Sequence, residues 1–280
     1  MNNQFSIVIT SKRRWFDLNL KELWRYRDLI TLFVRRTFVS QYKQTILGPA
    51  WAVIQPLLTT VVLTVVFGNI AGLAPAGVPS FAFYLCGSIA WGYFSNCLTT
   101  TSATFTSNAA ILGKVYFPRL VMPVSSVLSQ LISFFIQFVF FLGFLIFYWA
   151  TGENVQPSAW VLMTPVFLLH MAMLSLGVGV IISALTTKYR DLAMVVSFGV
   201  QLWMYATPVA YDISVIPEKF MFLYMLNPVT PIITMFRYSF LGIGNPCWAE
   251  YGISCVVTVV VLILGIMMFN RVEKTFMDTV

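Results

Sequence analysis

The chain is 280 residues long, with 59% hydrophobic, 16% aromatic and only 10% charged residues, and its mean hydropathy is +0.82. Soluble domains carry about a quarter charged residues, so a soluble globular protein is excluded and the long uncharged runs point to an all-α integral membrane protein. The net charge of +7 would also suit nucleic acid, but the cations are sorted by membrane side, and no nucleic-acid partner is expected.

Residues 1–48 read as a cytoplasmic N-terminal segment. The first 19 are polar and basic, and their apolar run is too short for a signal-peptide core, so no cleavage is expected. From residue 20 to about 46, Leu23, Leu29, Ile30, Phe33, Val34, Phe38 and Val39 recur at helical spacing. Arg25, Arg27, Arg35, Arg36 and Lys43 fill most of the other faces. Such a helix is either an amphipathic helix lying in the membrane interface or a juxtamembrane helix with a solvated face. The motif Leu47-Gly48-Pro49-Ala50-Trp51 then bends the chain into a charge-free apolar run.

Residues 49–280 read as a six-span transmembrane domain, because about 20 helical residues at 1.5 Å each cross the hydrocarbon core. The spans are expected near 49–67, 81–101, 121–149, 159–185, 192–211 and 251–269. A loop at 106–119 separates the second from the third, and within it residues 108–118 read as a short helical piece carrying Tyr116 and Phe117 beside Lys114 and Arg119. Residues 212–250 are apolar but cut by Pro217, Pro228, Pro231 and Pro246. Their helical pieces, 219–226 and 232–241, are too short to cross and read as re-entrant or interfacial helices on the outer, periplasmic side. Counting them as one broken span would put the C-terminus on the opposite side from the N-terminus.

Charge decides between these counts. With six spans, one side receives fifteen of the seventeen Lys and Arg residues, and the other holds only Lys219 and Arg237. Positive residues stay in the cytoplasm, so both termini are expected there. The broken-span count would move Arg271 and Lys274 outside.

Chemistry-bearing residues are sparse. Cys86, Cys97, Cys247 and Cys255 form no CxxC pair and lie in or beside apolar segments, which suits buried small hydrophobes rather than a disulfide or a metal site. His170, the single histidine, has no acidic residue in its span, so a packing role is favoured over a proton relay. Ser175, Gly179 and Ser183 form a small-residue ladder suited to helix packing. No span carries a central acid or base, which disfavours ion-coupled transport and membrane-embedded catalysis. Gly113-Lys114 is followed by Val115, and Asn108 stands where a phosphate loop needs its first glycine, so the chain has no Walker A cradle. Any energised work must draw on a partner, unless the chain is a passive channel.

Several motifs together match a known family. They are Leu23-Trp24-Arg25-Tyr26-Arg27-Asp28-Leu29, Arg35-Arg36, Tyr42-Lys43-Gln44-Thr45-Ile46-Leu47-Gly48-Pro49-Ala50-Trp51 with Gln55-Pro56, Lys114-Val115-Tyr116-Phe117-Pro118-Arg119, Lys188-Tyr189-Arg190-Asp191 and Asn227-Pro228. With these the chain resembles the membrane subunit of ABC-2 type exporters, specifically the bacterial permeases for surface polysaccharides such as O-antigen, capsule and teichoic acid. The resemblance implies an inner-membrane homodimer docked on two copies of a cytoplasmic nucleotide-binding subunit. Those subunits would bind ATP and Mg; this chain would hold no cofactor, no metal and no catalytic residue. A lipid-linked glycan would pass along the dimer interface. An ABC-2 permease for a drug or a lipid is the alternative.

On that reading Lys114, Tyr116, Phe117, Pro118 and Arg119 couple to the ATPase, the aromatic pair as knobs and the cations as guides. Arg25, Arg27, Arg35, Arg36 and Lys43 receive the pyrophosphate of the substrate or bind ordinary anionic membrane lipids. Tyr84, Trp91, Trp203 and Tyr205 are candidates for channel lining, the first two being seven residues apart on one helix face. Pro228 and Arg237 are expected to shape an exit gate, where Arg237 needs a partner or a polar cavity.

Overall fold

The structure, a computed structural model, describes residues 20–112, 114–115, 117–189, 191–244 and 248–279. Every regular element among them is helical. Two short helices begin the described chain, α1 (Leu20–Arg25) and α2 (Arg27–Tyr42), separated at Tyr26. Asp28 sits in the first turn of α2, where a carboxylate complements the helix dipole. The chain leaves α2 through Gln44 at φ 67° and Gly48 at φ 50°. Gly48 adopts that left-handed backbone without a side-chain penalty, and Pro49 opens the next helical turn, where its missing N–H costs nothing. The bend expected at Leu47-Gly48-Pro49-Ala50-Trp51 is therefore a backbone necessity.

Helix α3 (Trp51–Leu63) continues as a π-helical stretch (Thr64–Ile70). Then follow α4 (Ser80–Ser102), α5 (Thr104–Leu112), α6 (Val121–Ala150), α7 (Thr164–Lys188), α8 (Leu192–Tyr205), α9 (Glu218–Met225), α10 (Val229–Leu241) and α11 (Trp248–Thr279). Among the described residues four stretches are long and apolar enough to cross a membrane: Gly48–Ile70, Val121–Ala150, Ala159–Thr187 and Trp248–Arg271. A fifth arises if α9 and α10, bent by 101° at their junction, count as one. The expected second and fifth spans have a different character. Helix α4 has 23 residues, about 35 Å at 1.5 Å each, but it is rich in Ser, Thr and Asn. Helix α8 has 14 residues, about 21 Å.

Helix α4 is the centre of the fold, packed by α3, α6, α7, α8 and α10. From Ala82 to Trp91 every residue is buried, which explains how it tolerates hydroxyls: protein rather than lipid surrounds it. Helices α7 and α11 cross closely. A methyl group on Gly265 would lie 2.6 Å from the Gly177 carbonyl oxygen, and one on Gly177 would lie 2.9 Å from the Leu262 backbone. Gly179 faces Thr101 of α4, and Ser175 and Ser183 are fully buried, so the small-residue ladder lies in helix contacts. His170 bridges α7 to α11, its Nε2 2.8 Å from Thr258 Oγ1 and 3.3 Å from Ser254 Oγ. A second, smaller core gathers Phe33, Phe105, Phe117, Val121, Met122, Val180 and Phe269 where α2, α5, α7 and α11 meet.

One expected element differs. The short helix after α4 occupies Thr104–Leu112, not 108–118. It stops one residue before Gly113, a poor helix former, and Pro118 is incompatible with a helix interior. Residues 114, 115 and 117–120 are turns and bends.

Candidate functional site

The cationic helix, the loop after α5, a cavity beside α4 and the α9–α10 hairpin make up the candidate site. Arg25, Arg27, Arg35, Arg36 and Lys43 are all exposed. Of these five, only Arg27 has an ion-pair partner among the described residues, Asp28 at 3.8 Å, and that pair is itself exposed. Phe33 is the buried residue of α2, and Tyr42 reaches across to α6, its Oη 3.2 Å from Ser133 Oγ. The helix thus grips the bundle with one face and presents unpaired cations on the other.

The loop after α5 divides into an outward and an inward part. Lys114 is exposed and Val115 is 58% exposed. Phe117 is 5% exposed and packs on Phe33, ring centroids 5.9 Å apart and tilted by 45°. The expectation that Phe117 is a knob for a partner is corrected: its ring is spent inside the chain, joining the loop to α2. Pro118 is buried and Arg119 half-buried. Tyr116 lies outside the described residues.

Between α2, α3, α4 and α6 lies a cavity of about 610 Å³. Its walls carry the amides Gln41, Gln55, Asn96, Gln130 and Gln137, hydroxyls from Thr37, Thr59, Ser88, Ser95, Thr100 and Ser133, and the rings of Tyr42, Trp51 and Trp91. Among the described residues, no Asp, Glu, Lys, Arg or His lines it. Among the described residues none of the five amide side chains has a hydrogen-bond partner, and Ser88 Oγ is buried without one. Polar groups inside a membrane protein stay unpaired only where water or a ligand can satisfy them.

Of the four expected channel residues, Trp91 lines this cavity. Trp203 stands behind it, edge-on to Trp91 at 6.5 Å and to Phe94 at 5.3 Å, with its Nε1 donating to Asn227 Oδ1 at 3.0 Å. Tyr205 lies on the open side of α8, 48% exposed. Tyr84 is not among the residues lining this cavity: it is fully buried in the core, 5.1 Å from the Phe83 ring. The amides were not singled out from sequence, although Gln55 sits in the Gln55-Pro56 motif. Their signal was neutral polar residues recurring in otherwise apolar helices.

The expected exit-gate residues are engaged within the chain. Arg237 is 3% exposed. Its guanidinium donates to the carbonyls of Pro208, Val209 (2.6 Å) and Tyr211 (3.4 Å) and lies 3.8 Å above the Phe83 ring. Pro228 is half-buried, and its carbonyl accepts from Ser254 Oγ of α11 at 2.6 Å. Beside it, Asn227 donates to the Ala206 carbonyl and to Thr207 Oγ1 while its Oδ1 accepts from Trp203 and Val229. Arg237 and Asn227 together fasten the hairpin to the C-terminal end of α8.

The profile of the ABC-2 type transporter family matches residues 28–241, well over half of the chain. The chain belongs to that family. The matched stretch of this ABC-2 chain takes in α2, the cavity, the loop after α5 and the hairpin. The chain is similar to the O-antigen export system permease protein RfbA of Klebsiella pneumoniae, 28% identical over 253 residues, covering 90% of this chain and 94% of that protein. It is similar to the RfbA of Myxococcus xanthus at 26% over 264 residues, 93% of this chain and 98% of the relative. The polysialic acid transport protein KpsM of Escherichia coli is 20% identical over 255 residues, 89% and 94% of the two chains.

Proposed function

We propose that this chain is the transmembrane permease of an ATP-driven exporter that moves a lipid-linked polysaccharide across a bacterial inner membrane. The observation that carries this reading is the pairing of unpaired surface cations on α2 with an uncharged, amide- and aromatic-lined cavity directly behind it. The similarity to O-antigen export permeases over about nine-tenths of the chain supports it. Anionic phosphate needs cations; sugar hydroxyls need neutral groups that both donate and accept, and their C–H faces suit aromatic rings.

In this reading the membrane holds six spans. Helix α4 crosses because protein encases it, and α8 is completed at its outer end by residues 206–211, whose carbonyls Arg237 and Asn227 satisfy. The cation sidedness of the loops places both termini in the cytoplasm. Two copies of the chain dock on two nucleotide-binding subunits, which bind ATP and Mg. The loop after α5 meets those subunits through Lys114 and Val115, and the Phe33–Phe117 contact carries its movement to α2. The α9–α10 hairpin lies at the outer mouth and moves with α8.

An ABC-2 permease for a lipid or drug has one observation in its favour. An apolar groove of about 590 Å³ runs between α4, α7 and α8, lined by residues such as Leu98, Ile182, Val196 and Trp203. Deleting the gene and complementing it separates the readings. Loss of glycan from the cell surface, restored by the chain, and co-purification with an ATPase subunit are expected. Unchanged surface glycan would leave the lipid or drug reading, and failure to associate with any ATPase would refute both.

A further inference from the structure

We infer that the cavity between α2, α3, α4 and α6 selects for the uncharged, hydroxyl-rich stretch of the transported glycan and rejects acidic sugars. This rests on the permease reading and makes it more specific. Its volume, about 610 Å³, falls within the ~300–1,000 Å³ typical of small-molecule sites, room for a short run of sugar rings. Its polar side chains among the described residues are all neutral, amides and hydroxyls. An amide both donates and accepts, so Gln55, Asn96, Gln130 and Gln137 match a sugar hydroxyl in either sense.

Two nearly buried polar residues belong to its lining. Ser88 and Gln137 are each 8% exposed and line it. Ser88 Oγ makes no hydrogen bond. The amide of Gln137 makes none among the described residues. Trp91, 6% exposed, is part of the lining and is backed edge-on by Trp203, which fixes its ring beside the cavity.

Selectivity comes from what the lining lacks. A carboxylate sugar entering this cavity meets no cation among the described lining residues, and an uncompensated charge drawn out of water is strongly disfavoured. The cations of the chain nearest to it in sequence, Arg35, Arg36 and Lys43, are exposed on α2 and line no part of it. They remain available to the phosphate end while the neutral sugars occupy the cavity.

The test uses the full-length chain in lipid nanodiscs prepared without glycoside detergent, which would itself occupy the site. Tryptophan fluorescence is followed during titration with maltoheptaose and, separately, with an α2,8-linked sialic acid oligomer of similar length. The expected result is a saturable change with maltoheptaose and at least ~10-fold weaker binding of the acidic oligomer. Trp91→Phe should remove most of the signal. Gln55→Ala with Gln137→Ala should weaken binding about tenfold, and Gln137→Lys should shift the preference toward the acidic oligomer. Thermal unfolding of each variant, matched to the parent, shows that it is folded; Trp91→Phe and Gln137→Lys are conservative enough in volume to survive if the double alanine variant does not. Equal binding of both oligomers, no binding of either, or a signal that survives Trp91→Phe would overturn the inference. Cells that keep their surface glycan after deletion would overturn the permease reading instead, and the titration would still decide the cavity.

Discussion

Replacing Arg237 by methionine tests whether the hairpin is fastened to α8 by that side chain. The change strands the carbonyls of Pro208 and Val209 in a buried site, at about 1–3 kcal/mol each. It also removes the contact with the Phe83 ring, about 2 kcal/mol where desolvated. Relief from burying a guanidinium offsets part of this, leaving a net loss of about 3 kcal/mol. For a chain of this length that corresponds to a fall of about 6–12 °C in the unfolding midpoint, measurable in nanodiscs. Gly87 supplies the control. A methyl group there would overlap Arg237 Nη2 and stand 3.1 Å from Cζ, so Gly87→Ala should be destabilising alone and nearly neutral once Arg237→Met has vacated the space. A midpoint that moves by less than about 2 °C in Arg237→Met, or a Gly87→Ala cost that persists in the double variant, would refute the reasoning.

Two other perturbations separate the roles of α2. Phe33→Ala removes the ring that packs on Phe117. Emptying a buried phenylalanine site costs about 3–5 kcal/mol locally, and export should fall while ATP hydrolysis by the assembled complex continues; loss of both in step would mean that the contact only holds the fold. Arg35→Gln with Arg36→Gln removes two exposed cations. Export should drop several-fold at low ionic strength, with the difference from the parent shrinking at high salt, because exposed charges are screened. Unchanged export would identify α2 as a membrane anchor alone.

The apolar helices were legible because their signal is local. Gly48–Ile70, Val121–Ala150, Ala159–Thr187 and Trp248–Arg271 each appear as a long uncharged run ended by glycine, proline or charge. Helix α4 was legible in position but not in character, since its hydroxyls make sense only once neighbouring helices surround it. The end of α8 at Tyr205 was not legible at all. It depends on Arg237 and Asn227, more than twenty residues away, taking up the carbonyls and hydroxyl of the loop that follows. The candidate site divides in the same way. Exposed cations could be read from α2, where only composition and spacing matter. The directions of Tyr84, Phe117 and Arg237 could not, because an aromatic or a cation beside an apolar run gives no sign of whether it faces a partner, a path or the core. The amides were not legible as a group either, because they are spread over α2, α3, α4 and α6 and converge only in the fold.

That convergence explains why cations and amides occupy separate places. A charge-assisted hydrogen bond is roughly twice as strong as a neutral one, so a cation along the path of a sliding polymer would hold any anionic group that reached it. Neutral amide bonds to hydroxyls contribute only about 0.5–1.5 kcal/mol net, and each can be exchanged for the next as sugar units advance. Aromatic faces add contact without fixing a register. Holding the substrate and letting it move are therefore opposite demands. In the proposed reading the chain meets the first on the exposed face of α2 and the second in the cavity that α2 helps to line, with Tyr42 and Ser133 joined at the cavity wall. A cation moved inward should accordingly slow transport even where it strengthens binding, which is the opposite of what a simple affinity argument would give.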